Sequence, residues 1–162
     1  MAGTMLDRMV GAAFLNIDTF EEVEHDQDAT GQAAAVVAMV AVAQAIGASP
    51  LGILGAAKAA VVALVGWLAW AGITYLVGDK MFGGQATWGE VLRTLGFAQA
   101  PGVLMILGII PILGWGVTGV VGLWMLVTAF IGLRQALDLG NGKTFATVLV
   151  GWGVYAILAV LF

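Results

Sequence analysis

The chain has no cysteine, one histidine (His25), one serine (Ser49) and three prolines among its 162 residues. Without cysteine there can be no disulfide, no thiolate metal site and no thiol nucleophile. One serine and one histidine, assigned below to opposite sides of a membrane, leave no Ser–His pair for acyl transfer. A single histidine also excludes a two-histidine metalloprotease helix, and no glycine loop closes on a phosphate-binding lysine. Charge is scarcer still. Six Lys+Arg and ten Asp+Glu make up 10% of the chain, against roughly 25% in a soluble domain. A water-soluble enzyme or carrier is thereby excluded, and six scattered cations are too few for a nucleic-acid surface. We expect no enzyme, no cofactor, no metal and no nucleic-acid partner.

What is present is apolar. Hydrophobic residues account for 61% of the chain and the mean hydropathy is +1.02. Crossing a bilayer takes about 20 apolar residues in a helix. Five stretches qualify, at about 32–48, 54–77, 95–113, 115–133 and 144–162, separated by breaks rich in Gly and Pro. They are continuously apolar rather than alternating, which excludes barrel strands. The expected fold is all-α: an integral membrane bundle of five transmembrane helices (32–162) behind a cytoplasmic amphipathic and acidic segment (1–31). No cleavable signal peptide is expected, since the first apolar run starts late and behind acids. Counting cations sets the orientation. Arg8, Lys80, Arg93, Arg134 and Lys143 fall on one side and Lys58 on the other, so the N-terminus is expected in the cytoplasm and Phe162 outside. A four-span layout, with the third stretch re-entrant, splits the cations evenly and is disfavoured.

Leu6, Met9, Val10, Ala13 and Phe14 share one helix face, which suggests a short helix lying on the membrane surface. After it, Glu21, Glu22, Glu24, Asp26 and Asp28 surround His25. Such a cluster can hold a divalent cation or a basic partner. The favoured reading is a solvated collar partly paired with Arg93 and Arg134, since charges beside a membrane need no ligand and the spacing matches no metal motif. Arg134 and Asp138, four apart, can meet on one helix face, as can Glu90 and Arg93. Lys58 is expected to snorkel to the outer interface. Pro101 and Pro111 each free a backbone carbonyl, which can line a cavity or mark a kink repaired by a side chain such as Gln99. Small residues four apart (Ala34 with Ala38, Ala56 with Ala60, Thr118 with Gly122) suit close helix contact, within one chain or with a second copy of it.

Three stretches, FEEVEHDQDATGQA, LGFAQAPGVLMILGIIPILGWGV and RQALDLGNGKTFATVLVGW, together resemble the bacterial branch of the Yip (Ypt/Rab-interacting protein) family. The resemblance implies five spans with a cytoplasmic N-terminus, in the bacterial inner membrane. It directs attention to Glu21, Glu22, Glu24 and Asp26, and then to Gln99, Pro101, Pro111, Arg134, Gln135 and Asp138. Eukaryotic members bind small GTPases through a longer N-terminal region and an Asp-Leu-x-Gly-Pro-type motif. Neither is found here, so GTPase binding is not carried over. The expected function is a non-enzymatic scaffold or membrane organiser that contacts a partner protein or lipid headgroups at its cytoplasmic face. The alternatives are a small channel or transporter, and an accessory subunit of a larger membrane complex.

Overall fold

In a computed structural model, residues 3–110 and 112–161 are described, and every regular element among them is helical. Seven α-helices follow one another: α1 (Met5–Ala13), α2 (Ile17–His25), α3 (Ala29–Gly47), α4 (Gly52–Thr74), α5 (Trp88–Ala98), α6 (Gly114–Ala136) and α7 (Asn141–Leu161). A π-helical stretch, Tyr75–Met81, prolongs α4, and a 3-10 stretch, Ala100–Ile109, prolongs α5. Pro111 and Phe162 lie outside the described residues.

Among the described residues four helical runs are long and apolar enough to cross a membrane: Ala29–Gly47, Ser49–Met81, Trp88–Ile109 and Gly114–Ala136. The expected fifth span falls on α7, part of which lies outside the described side chains. The first span starts before residue 32, and the second runs on to Met81. The third begins at Trp88 rather than residue 95, because Thr87 and Glu90 close a capping box there. That third stretch does not fold back. Eleven α-helical and ten 3-10 residues extend about 36 Å, which is more than the hydrocarbon core. Lys58 is exposed, and it stands 21 positions before Asp79, about 31 Å along the helix. The two charges are thus about one hydrocarbon-core thickness apart.

The bundle packs through small residues, and its closest approaches do not use the pairs Ala34/Ala38 and Thr118/Gly122. Ala34, Ala38 and Thr118 face outward, and Gly122 has open space beside it. The contact runs instead along Ala33, Val40 and Gly47 of α3, each seven residues from the next. A Cβ added at Gly96 would lie 2.7 Å from the Cβ of Ala33, and one at Gly102 2.7 Å from Val40. A Cβ at Gly47 would lie 2.1 Å from the carbonyl oxygen of Met105. The third span therefore lies backbone-close to α3 over its full length, where dispersion has to hold the helices together in the absence of a hydrophobic drive.

Pro101 sits where α5 tightens into 3-10 geometry. The Gly102 amide bonds to Gln99 at 2.7 Å, three residues back, so the carbonyl of Ala98 is left over. The hydroxyl of Thr128 on α6 donates to it at 2.6 Å. The kink is thus repaired from a neighbouring helix and not by Gln99, whose buried Nε2 has no partner. Both Gln99 and Pro101 are buried.

Replacing Gly96 or Gly47 by a larger residue forces backbones apart and should destabilise the bundle by about 1–3 kcal/mol, the usual cost of overpacking. Gly119→Ala, placed in open space inside α6, should not destabilise it and should add up to about 1 kcal/mol through helix propensity. Thermal unfolding in detergent checks both.

Candidate functional site

The starts of α3, α5 and α7 meet the ends of α2, α6 and the π stretch at one end of the bundle, and nearly all the charge gathers there. Cross-links between the elements fix this end. Gln85 N donates to Leu137 O at 3.1 Å, and Lys143 Nζ donates to Phe82 O at 2.9 Å. Helix α2 is seated by Phe20, whose ring lies where a Cβ on Gly132 would be. Phe20 and Val23 are fully buried.

The acidic cluster does not act as one unit; it divides by helix face. Glu22 and Asp26, four apart, turn inward to Arg8. The Arg8 guanidinium is 1% exposed and donates to Glu22 from Nε (3.1 Å) and Nη2 (2.7 Å), to Asp26 from Nη2 (2.5 Å) and to Gln32 from Nη1 (3.0 Å). Every nitrogen of the buried guanidinium is bonded, as its burial demands. It holds both carboxyls below their ordinary pKa, chiefly through these hydrogen bonds. These two acids tie α1 to α2 and α3 and are not free to take a ligand.

Glu24 faces the other way, into a cleft of about 310 Å³ with Glu21, His25, Gln85, Glu90, Gln135 and Asp138 around it. Its side chain is only 12% exposed, and Oε2 is buried without a hydrogen-bond partner. Burial pushes its pKa up to about 7; the acids Glu90, Asp138 and Glu21 push the same way, and His25 opposes them. His25 Nδ1 lies 2.9 Å from Glu21 O and 3.4 Å from Glu24 Oε1. Both neighbours raise its pKa, the carbonyl more. No Lys or Arg lines the cleft. Asp28 is exposed outside it.

Arg93 does not pair with the acids either. Its Nε donates to Val23 O at 2.9 Å and its Nη2 to Glu24 O, which caps the carbonyl end of α2. Glu90 instead accepts from the Thr87 amide at 2.8 Å. The expected Arg134–Asp138 pair is absent among the described residues, because α6 ends at Ala136 and Asp138 has turned into left-handed backbone with φ 50°. Arg134 is exposed, while Gln135 is half-buried and lines the cleft. Nowhere among the described residues do three His, Asp or Glu side chains converge in a way that would hold a metal ion.

A scan against protein-family models matches the Yip1 domain over residues 13–162. The chain belongs to the Yip family. Comparison with curated proteins finds no match, and neither does comparison with solved structures. Nearly all of α1, including Arg8, precedes the Yip match.

Arg8 is the functional-end residue that sequence reasoning missed. Its signal was present, since it is the only cation before the first span and faces two acids one helical turn apart. Thr128 was missed as well, because nothing local links it to Ala98.

The raised pKa of Glu24 has a definite consequence for stability. A carboxyl at about 7 in the fold and 4.5 unfolded leaves the folded state holding the extra proton between those values. Stability is therefore highest below 4.5 in this respect and falls as pH rises to about 7. His25 adds in the same direction. Glu24→Gln should flatten this fall in melting temperature between pH 4.5 and 7.5, which is worth several degrees at roughly 2–4 °C per kcal/mol in a chain of this size.

Proposed function

We propose that this Yip-family protein is a non-enzymatic, multi-pass organiser of the bacterial inner membrane. In this reading it holds a cationic side chain of a partner protein in the acidic cleft at its cytoplasmic end. The observation that carries the reading is Glu24: a carboxylate oxygen buried without a partner in a cleft whose other walls are acids, amides and one imidazole. Two arginines at this end are already committed, Arg8 to Glu22 and Asp26 and Arg93 to backbone carbonyls, and the exposed Arg134 does not line the cleft. A lysine or arginine from outside would meet charge without displacing any internal bond. It would draw Glu24 into its ionised form, so capture strengthens as pH rises through about 7. Anionic headgroups would be repelled, which favours a protein partner over lipid at this site.

The transporter reading has no observation in its favour. Pro101 is buried, and the carbonyl it frees is taken by Thr128.

The test uses the full chain in nanodiscs and a lysine-rich peptide as probe. The triple variant E21Q/E24Q/D138N should bind it at least about tenfold more weakly, and a glutamate-rich peptide should not bind at all. Equal binding by wild type and variant overturns the reading. Glu22, Asp26 and Glu90 are left intact because they hold the fold. We further propose five crossings with the N-terminus inside, α7 being the fifth. Topology reporters fused after Gly114 and after Phe162 should both then report the outer side, and a cytoplasmic signal at Phe162 would remove α7 as a span.

A further inference from the structure

The two N-terminal helices do not stop at the polar surface. Helices α1 and α2 form a tight antiparallel pair: a Cβ at Gly11 would lie 2.2 Å from the hydroxyl of Thr19. Their shared tip points away from the charged end. Trp124 Nε1 donates to the Ala13 carbonyl at 2.8 Å, and Trp124 is near the middle of the 23-residue α6. By helical rise it stands about 18 Å from the Ala136 end and about 15 Å from Gly114. If α6 spans the bilayer, the tip of the pair lies deep within one leaflet.

Four further features fit hydrocarbon at that place. Leu6, Val10 and Phe14 form an outward stripe, 65%, 56% and 75% exposed, and Leu15 and Ile17 continue it around the turn. The turn bonds its own amides: Phe14 N to Val10 O, Leu15 N to Ala12 O and Asn16 N to Gly11 O, while Asp18 N donates to Asn16 Oδ1, which suits a site poor in water. Leu15 also holds left-handed backbone at φ 62°, a position that water-exposed turns give to Gly or Asn. Here an apolar side chain is kept there in spite of the strain. Between Arg8 and Glu21 the only ionisable residue is Asp18, which opens α2 where the helix dipole favours an acid.

We propose that α1 and α2 are a re-entrant hairpin. It inserts tip-first into the leaflet at the charged end of the bundle, with Leu6, Val10 and Phe14 against lipid acyl chains and Arg8 as its lock. The proposal rests on the spans lying in a bilayer and is independent of what occupies the acidic cleft.

The absence of native cysteine allows single spin labels to be placed at will. Labels at residues 6, 10 and 14 of the full chain in phospholipid nanodiscs are read by collision with oxygen, which favours lipid, against a water-soluble nickel chelate. Val127, exposed near the middle of α6, serves as the lipid reference, and exposed Gln27 serves as the aqueous one. The oxygen-to-nickel ratio should rise several-fold from Leu6 through Val10 to Phe14, which should match Val127. The depth difference over those eight residues is about 12 Å for an upright helix. Equal ratios at all three positions would mean a helix lying flat on the surface and would overturn the proposal, as would a Phe14 ratio equal to that of Gln27. Arg8→Gln should shift the Phe14 label towards the aqueous value and leave Val127 unmoved. An unmoved Phe14 would remove Arg8 as the lock.

Discussion

A peptide group placed in hydrocarbon has no water to bond to, so each amide and carbonyl must find its partner inside the protein. Most of the bundle meets this demand simply by being helical. The informative places are those where the helix is interrupted. At Pro101 the chain shifts to 3-10 geometry, and the one carbonyl left over is bonded by Thr128 from a different helix. At the end of α2 the Arg93 guanidinium takes the last carbonyls. At the turn after α1 one carbonyl reaches the Trp124 indole. In each case a break in one helix is also its attachment to another, so the same bonds that make the breaks tolerable hold the bundle in register.

Close approach follows from the same constraint. Helices in lipid are not driven together by water, and backbones must come near enough for dispersion to act. That explains why a chain with 24 glycines still packs firmly along the line Ala33, Val40, Gly47. It also explains why spacing alone does not single out the line of closest approach. Ala34 and Ala38 have the right spacing, but the face that matters is set by where the third span lies, and that depends on the 3-10 stretch, which local pattern does not announce.

The membrane class, the existence of four of the expected spans and the collection of charge at one end were legible, because they depend on composition and run length alone. The third span's start was not, since its first turns carry Glu90 and Arg93 and look polar until the capping box and the contact of Arg93 with α2 are seen. The acidic segment was legible as a cluster and misread as a unit. Its residues alternate around α2, so Glu22 and Asp26 meet Arg8 while Glu24 meets the cleft. The pairing with Arg134 failed because a helix end, two residues before Asp138, broke the spacing on which it depended.

That division of labour on α2 is the point at which fold and candidate function separate. Carboxylates bonded to a buried guanidinium are held ionised and cannot respond to a ligand without unlocking α1 from the bundle. A carboxyl that is buried without a cation is in the opposite condition: it costs stability when ionised, and a cation arriving from outside would relieve that cost. Helix α2 with its C-cap Asp26 thus turns Glu22 and Asp26 to Arg8 and Glu24 to the cleft. Glu24 can change from neutral to negative near physiological pH while the contacts that seat α2, namely Phe20 on Gly132 and Arg8 on Glu22 and Asp26, stay as they are.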